Sequence, residues 1–395
     1  MNQTEPLWTK DFVLLAFSNF FLFVGFQMLI PTLPLFVTER GGDQLAVGLV
    51  VSLFTVSALI VRPFAGKALD SVGRRPVLLV GLALFLLCVA GYYWMATVAL
   101  VLGLRFVHGI GWGIATTTFG TIASDLIPAA RRGEGMGYFG MFSSLAMALG
   151  PLVGLWLAQS FGFGWLFLIS SVLTALAMLL SKPVKMAAPA GAGRRQPETK
   201  RSGLVEQKAL FPSLLVLFLG VTYGGIVSFI TLFGQEAGIG NVGLFFLFNA
   251  LSLMLIRPVA GKLFDRKGHL WVLLPGGIVM AAGLLILSYS TTSFGLIAAA
   301  ILFGSGFGAV QPSLQAWTIH RVSPERRGAA NGTFFSAFDL GIGAGAMLLG
   351  AVAKAIGFAL MYRCSVIVIL LYLIIYLAYV IKERRRHSRL QPGSS

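Results

Sequence analysis

Three ionisable side chains stand among apolar residues, where each is able to carry a charge or pass a proton. Asp339 is followed by Leu340-Gly341-Ile342 and lies well inside a helical run, whereas nearly all of the fourteen acidic residues fall in polar stretches or at the ends of apolar ones. If its helix begins near residue 328, the carboxylate sits about eleven residues in, roughly 16 Å deep at ~1.5 Å per residue. Charge is costly at that depth, so Asp339 is a candidate for taking up and releasing protons, or for holding a cationic substrate. Pairing with Arg105 or Arg363, or local capping among Gly341, Gly343 and Gly345, is the structural alternative. Arg105 is itself enclosed by apolar residues, and such an arginine faces a polar cavity, an ion-pair partner or the interface. His108, one turn further on, carries the side chain that ordinarily titrates near neutrality, and a hydrogen-bonded interior histidine explains it as well.

Catalytic chemistries do not survive inspection of context. Gly109-Ile110-Gly111 and Gly304-Ser305-Gly306 have glycine spacings seen in nucleotide loops, but they lie within apolar runs with no preceding strand. No phosphate-binding P-loop spacing, nucleophile elbow or Cys/His metal spacing occurs. The two cysteines, Cys88 and Cys364, lie far apart within apolar runs and suggest no disulfide framework. The reading is therefore of a non-enzyme with no catalytic residues, metal or cofactor.

The elements that must hold these residues are membrane spans. Of the residues 57% are hydrophobic and 11% charged, far from the balance of a domain folded in water. Runs such as Phe12 to Phe36, Leu45 to Ile60 and Val366 to Ile381 approach or exceed the ~20 residues a helix needs to cross a ~30 Å hydrocarbon layer. Segments near 11–36, 44–66, 76–95, 97–126, 134–160, 164–181, 209–235, 240–263, 270–290, 293–320, 328–354 and 357–381 give twelve helices. Strands of a membrane barrel would alternate apolar and polar residues, which these runs do not. The first run is too long for a signal peptide, and the region of Pro31 and Pro34 is unlike a small-residue cleavage site, so it reads as a retained span.

A net charge of +16 would suggest nucleic acid in a soluble protein, but here its placement reports topology. Lys67, Arg74 and Arg75 follow the second span, Arg131 and Arg132 the fourth, and seven Lys or Arg lie from Lys182 to Lys208. Lys262, Arg266 and Lys267, then Arg321, Arg326 and Arg327, then Lys382 to Arg389 complete a set of loops on one side. The opposite loops hold little beyond Arg40, Lys354 and Arg363, so the positive-inside rule puts both termini in the cytoplasm of a multi-pass cell-membrane protein. The expected organisation is a six-helix half over 1–181, a cytoplasmic linker over 182–208, a second six-helix half over 209–382 and a basic tail over 383–395. The linker and tail could also meet acidic lipids. No nucleic-acid partner is expected.

Shifting the chain by 195 residues lays Arg62-Pro63-Phe64-Ala65-Gly66-Lys67-Ala68-Leu69-Asp70 over Arg257-Pro258-Val259-Ala260-Gly261-Lys262-Leu263-Phe264-Asp265. At the same offset Gly73 meets Gly268, Arg131-Arg132-Gly133 meets Arg326-Arg327-Gly328, and Gly109, Gly111 and Gly113 meet Gly304, Gly306 and Gly308. Such a register makes the halves parallel copies related by an axis along the membrane normal, with a cavity between them that rocking opens to each side in turn. Ser144 occupies the position matching Asp339, so the buried acid breaks the repeat.

These residues resemble the major facilitator superfamily over essentially the whole chain. Gly66-Lys67-Ala68-Leu69-Asp70-Ser71-Val72-Gly73-Arg74-Arg75 is similar to the family's signature between spans 2 and 3, and is repeated more loosely from Gly261 to Gly268, where His269, Leu270 and Trp271 replace the basic pair. The resemblance implies gating by Asp70 and Arg74 on the cytoplasmic side, with Gly66, Gly73 and Asp265 in the same machinery. Leu104 to Gly111 is similar to the family's span 4 motif and links Arg105 to proton transfer. Ala146 to Gly154 resembles the span 5 motif of the antiporters, with Ala146 and Leu155 departing from it, and makes Gly150, Pro151 and Gly154 a hinge. The resemblance to the twelve-span drug and sugar efflux branch implies a monomer that exports small amphipathic molecules in exchange for protons, with Asp339, Arg105 and His108 as coupling candidates. Proton-coupled uptake of a metabolite is the alternative. Asn19, Gln27, Tyr223, Asn249, Gln311 and Gln315 are candidates to line the substrate cavity, although polar residues in spans often only join helices.

Overall fold

The computed structural model describes residues 5–186, 203–239 and 241–390. The part of the expected linker from 187 to 202 and the last residues of the expected tail, 391–395, lie outside the described residues. Twelve helices are long and apolar enough to cross a membrane: α1 (Lys10–Glu39), α2 (Gln44–Ser71), α3 (Arg74–Gly91), α4 (Val98–Leu126), α5 (Arg132–Phe161), α6 (Phe163–Ser181), α7 (Leu210–Glu236), α8 (Gly243–Lys267), α9 (Leu270–Tyr289), α10 (Ser293–His320), α11 (Arg327–Ile356) and α12 (Phe358–Leu390). The protein is an all-α membrane protein, and no strand occurs among the described residues.

Local chemistry sets the helix boundaries, and the repeat carries it. Thr97 caps α4 and Thr292 caps α10, each accepting a backbone N–H three residues on. Gly162 (φ 85°) and Gly357 (φ 84°) end α5 and α11 in the left-handed region, where a side chain would be strained, and the next helix begins at once. Both pairs are 195 residues apart (292 − 97 and 357 − 162), so the sequence offset extends to the caps.

Within the first half α1 packs on α5 and α6, and α4 on α2 and α3. The second half repeats this with α7 on α11 and α12, and α10 on α8 and α9. The halves meet chiefly along α2 against α11 and α5 against α8. Even numbers of crossings bring both described ends to one face, which also carries Arg74, Arg131, Lys262 and Arg326 and is called here the basic face. Tyr93, Trp94 and Trp165 are exposed at the opposite face, as aromatic residues at a lipid headgroup boundary would be.

Candidate functional site

Helix α2 turns inward from its basic end with Asp70, Gly66 and Arg62 on successive turns, one stripe at i, i+4 spacing facing α11. At the end of that stripe the Asp70 carboxylate receives the backbone N–H groups of Gly328 and Ala329, both at 2.9 Å, at the start of α11. The first N–H groups of a helix have no partner within it and carry its positive dipole end, so a carboxylate from the other half caps them well. The repeat builds the same contact once more: Asp265 of α8 receives the N–H groups of Gly133 and Glu134 on α5, at 2.7 and 2.8 Å. Close backbone approach makes both caps reachable, since a Cβ on Gly66 or on Gly133 would lie 2.6 Å from the carbonyl oxygen of Gly328 or Gly261.

The two latches differ in the charges around them. Arg74 lies 4.0 Å from Asp70, ion-pairs with Asp125 at 3.0 Å and donates to the carbonyls of Leu69 and Pro324, while Arg327 of the other half pairs with the second oxygen of Asp125 at 2.8 Å. Shifting by 195 replaces Arg74 with His269, Asp125 with His320 and Arg327 with Arg132. His269 stacks on Trp317 and contacts the Tyr376 hydroxyl at 2.6 Å. Burial pushes its imidazole below the usual range, with Glu383 opposing that shift and Arg321 adding to it. An imidazole whose charged form burial disfavours therefore stands where the first latch has a guanidinium, and Arg132 has no carboxylate within ion-pair distance among the described residues. The second latch keeps instead a Glu134 ion pair to Lys262 across the halves at 3.5 Å, and another to Arg131. Gly73 sits before α3 with φ 108°, a turn that favours glycine.

Asp339 lies twelve residues after Arg327 along α11, ~18 Å in at ~1.5 Å per residue. Its partner is Arg62 of α2: Nε to Oδ2 is 2.7 Å, with side-chain exposures of 4% for Arg62 and 15% for Asp339. Neither Arg105 nor Arg363, the partners weighed from sequence, reaches it. Arg62 also donates to Thr116 and Thr117 on α4 and lies under the ring of Phe335, 5.1 Å from its centroid. The pair thus ties the halves together at the deep end of the α2–α11 contact. Every hydrogen bond or ion pair between the halves among the described residues lies between this depth and the basic face. Among the described residues the polar ties between the halves thus lie on the basic-face side alone.

Arg105 and His108 sit elsewhere, inside the first half. Arg105 donates to the Val50 carbonyl at 2.9 Å, lies over the Phe54 ring and approaches His108 Nδ1 at 3.2 Å, as does the Tyr92 hydroxyl. Arginine can only donate, so Nδ1 accepts and the ring proton is on Nε2. Gly150 and Gly154 lie within an unbroken α5, packed on Gln27 and Met28 of α1, with Pro151 between them. Of the cavity candidates, Asn19 donates to Ser143 and Gln315 to Asn331, both within a half. Asn249 packs against Gly304 in α10, its side-chain oxygen unpartnered. Tyr223 stacks on Phe307 beside Phe338, and Gln311 is partly buried one turn before Gln315. A separate recess of about 570 Å³ between α3 and α6 is lined by Tyr93, Trp94, Trp165 and Phe167 and holds no charged side chain.

Sequence reasoning passed over Arg62, Asp125 and Arg257. Arg62 and Arg257 stood in view inside the repeated block, and the cost argument that singled out Arg105 applies equally to them.

The family model described as Major Facilitator Superfamily matches residues 15–346 and 241–395. The multi-drug resistance efflux pump PmrA homolog of Lactococcus lactis is 25% identical over 406 aligned positions, covering 98% of both chains. The staphylopine export protein of Staphylococcus aureus is 24% identical, covering 87% of this chain and 90% of its own. Among solved structures, the human organic anion transporter MFSD10 (TETRAN) superposes with a TM-score of 0.78 at 18% identity, over 94% of this chain and all of that one.

Proposed function

The chain belongs to the Major Facilitator Superfamily and is a multi-pass membrane transporter of small molecules, and from that premise we propose that it exports amphipathic compounds in exchange for protons, coupling the two at Asp339. The observation that carries the reading is the Arg62–Asp339 pair spanning the halves at mid-depth. With Asp339 ionised, the pair adds to the latches and favours the state closed on the basic face, which the positive-inside rule makes cytoplasmic. A proton arriving from the side away from the basic face neutralises Asp339 and cancels the attraction to Arg62. The inter-half contact weakens, and the balance moves toward the state open to the cytoplasm. There Asp339 loses its proton, substrate enters, and re-forming the pair drives the return. The order of events is that of an antiporter. Export names among the relatives support the direction, while the fold alone carries none.

The test is accumulation of dyes and drugs in energised everted vesicles containing wild type, Asp339→Asn or no transporter, under an imposed pH gradient. Gradient-driven accumulation by wild type and its loss in Asp339→Asn is the expected result. Accumulation that the substitution leaves intact removes Asp339 from coupling, and no accumulation across a broad panel overturns export.

A further inference from the structure

The repeat places Arg257 where Arg62 stands (257 − 62 = 195), in surroundings that lack what Arg62 has. Shifting the partners of Arg62 by the same offset puts Ser144 at the position of Asp339 and Gly140 at that of Phe335. The second site therefore loses both the carboxylate that neutralises the first guanidinium and the ring that lies on it. Arg257 is 6% exposed and makes no ion pair among the described residues. It donates through one terminal nitrogen to the Gly140 carbonyl, and its Nε is buried without a partner. A Cβ on Gly140 would lie 3.1 Å from the guanidinium carbon, so glycine there leaves room for the charged head. One turn along the same face of α5, the Ser144 hydroxyl is likewise buried and unpartnered.

An arginine keeps its charge in a protein, and a buried guanidinium without an anion carries a large desolvation penalty. Ten residues separate Arg257 from the basic end of α8 at Lys267, ~15 Å at ~1.5 Å per residue. That is near the depth of Arg62, where the polar ties between the halves end. In the same half, Tyr223 of α7 stacks on Phe307 of α10 with Phe338 of α11 beside it. An unmatched charge held against Gly140 and a free hydroxyl one turn further along α5 thus face the contact between the halves.

We propose that Arg257 is the counter-ion for a carboxylate on the transported molecule, that Ser144 donates a second hydrogen bond to it, and that its apolar body lies against Tyr223 and Phe307. The substrate class is amphipathic organic monocarboxylates, and the ligand supplies the group that Asp339 supplies in the other half. The inference rests on the reading of the chain as a transporter of amphipathic molecules and specifies which ones.

The experiment is equilibrium binding to the purified full chain in nanodiscs, with radiolabelled phenylacetate, naphthylacetate and octanoate, each against its uncharged amide. At least one acid should bind about tenfold or more tightly than its amide, as a charge-assisted pair implies. Arg257→Gln should abolish that preference. Ser144→Asp, which rebuilds in this half the pair that Arg62 and Asp339 already make, should keep the melting temperature and also abolish the preference. Acids that all fail to bind, an acid preference absent from wild type, or one that survives in folded Ser144→Asp overturns the proposal. Binding needs neither a pH gradient nor net movement, so its outcome is separate from that of the vesicle test of proton-driven export.

Discussion

Replacing Asp70 by asparagine removes one charged cap from the basic-face latch while leaving the shape of the side chain nearly unchanged. In the native protein the two carboxylate oxygens each receive one N–H from α11. Asparagine retains a single acceptor and turns an NH2 group toward the other donor. Hydrogen bonds to charged groups contribute about 1.5–3 kcal/mol each, and opening the latch exposes these groups to water, so the loss in the closed state is about 2 kcal/mol. That corresponds to a roughly 30-fold change in the ratio of closed to open forms. Asp265→Asn removes the matching cap, but Asp265 contacts the Glu134 backbone beside a second carboxylate and lacks an Arg74–Asp125–Arg327 relay. Its loss should therefore shift the ratio less. The assay is a distance distribution between spin labels at Ser71 and Ser323, exposed positions at the basic ends of the α2–α11 contact, after Cys88 and Cys364 are replaced. A longer-distance population should grow in the order wild type, Asp265→Asn, Asp70→Asn. An unchanged distribution in Asp70→Asn, or the reverse order, refutes the reasoning.

Other perturbations test separate parts of the account. Gly66→Val places a branched side chain against the Gly328 carbonyl and should favour the longer distance in the same labelled background, whereas Gly103→Ala, with nothing within 4 Å of its Cβ, should leave it unaltered. Arg105→Gln should lower the melting temperature through loss of the buried contacts to Val50 and His108, about 1–3 kcal/mol, while protons moved per substrate stay as in wild type; a changed ratio would return Arg105 to the coupling path. Because burial holds His269 below its ordinary value of about 6.5, the folded state binds this proton less readily than the unfolded chain. Acidification below that value should cost stability, and His269→Gln should flatten that part of the melting-temperature profile against pH.

The spans were legible because a ~30 Å apolar layer demands long apolar runs, and the helices fall on the segments read from sequence with shifts of a few residues at most ends, although α2 runs five residues further, to Ser71, and α12 nine, to Leu390. The repeat was legible because the same offset recurs in loops and spans alike. Asp339 was visible as a costly charge, yet its partner was not. The pairing of residues 62 and 339 crosses between halves, and neither periodicity nor the repeat specifies inter-half contacts; the repeat only matches Asp339 with Ser144. The asymmetry of the latches was half visible at His269, but its meaning depends on Arg74 and Arg327 meeting at Asp125, which only the folded arrangement supplies. Arg257 became informative only once Arg62 had been seen to be neutralised and Arg257 had not.

Coupling at Asp339 requires that the proton moved in each cycle be the one that breaks the Arg62–Asp339 pair. The measurement is substrate-elicited proton flux, read by a pH dye trapped in proteoliposomes, for wild type and Asp339→Asn with substrate movement followed in parallel. Adding substrate to one side of wild-type vesicles should drive protons the opposite way, and Asp339→Asn should exchange substrate across the membrane without moving protons. Equal proton flux per substrate in the two proteins would contradict it.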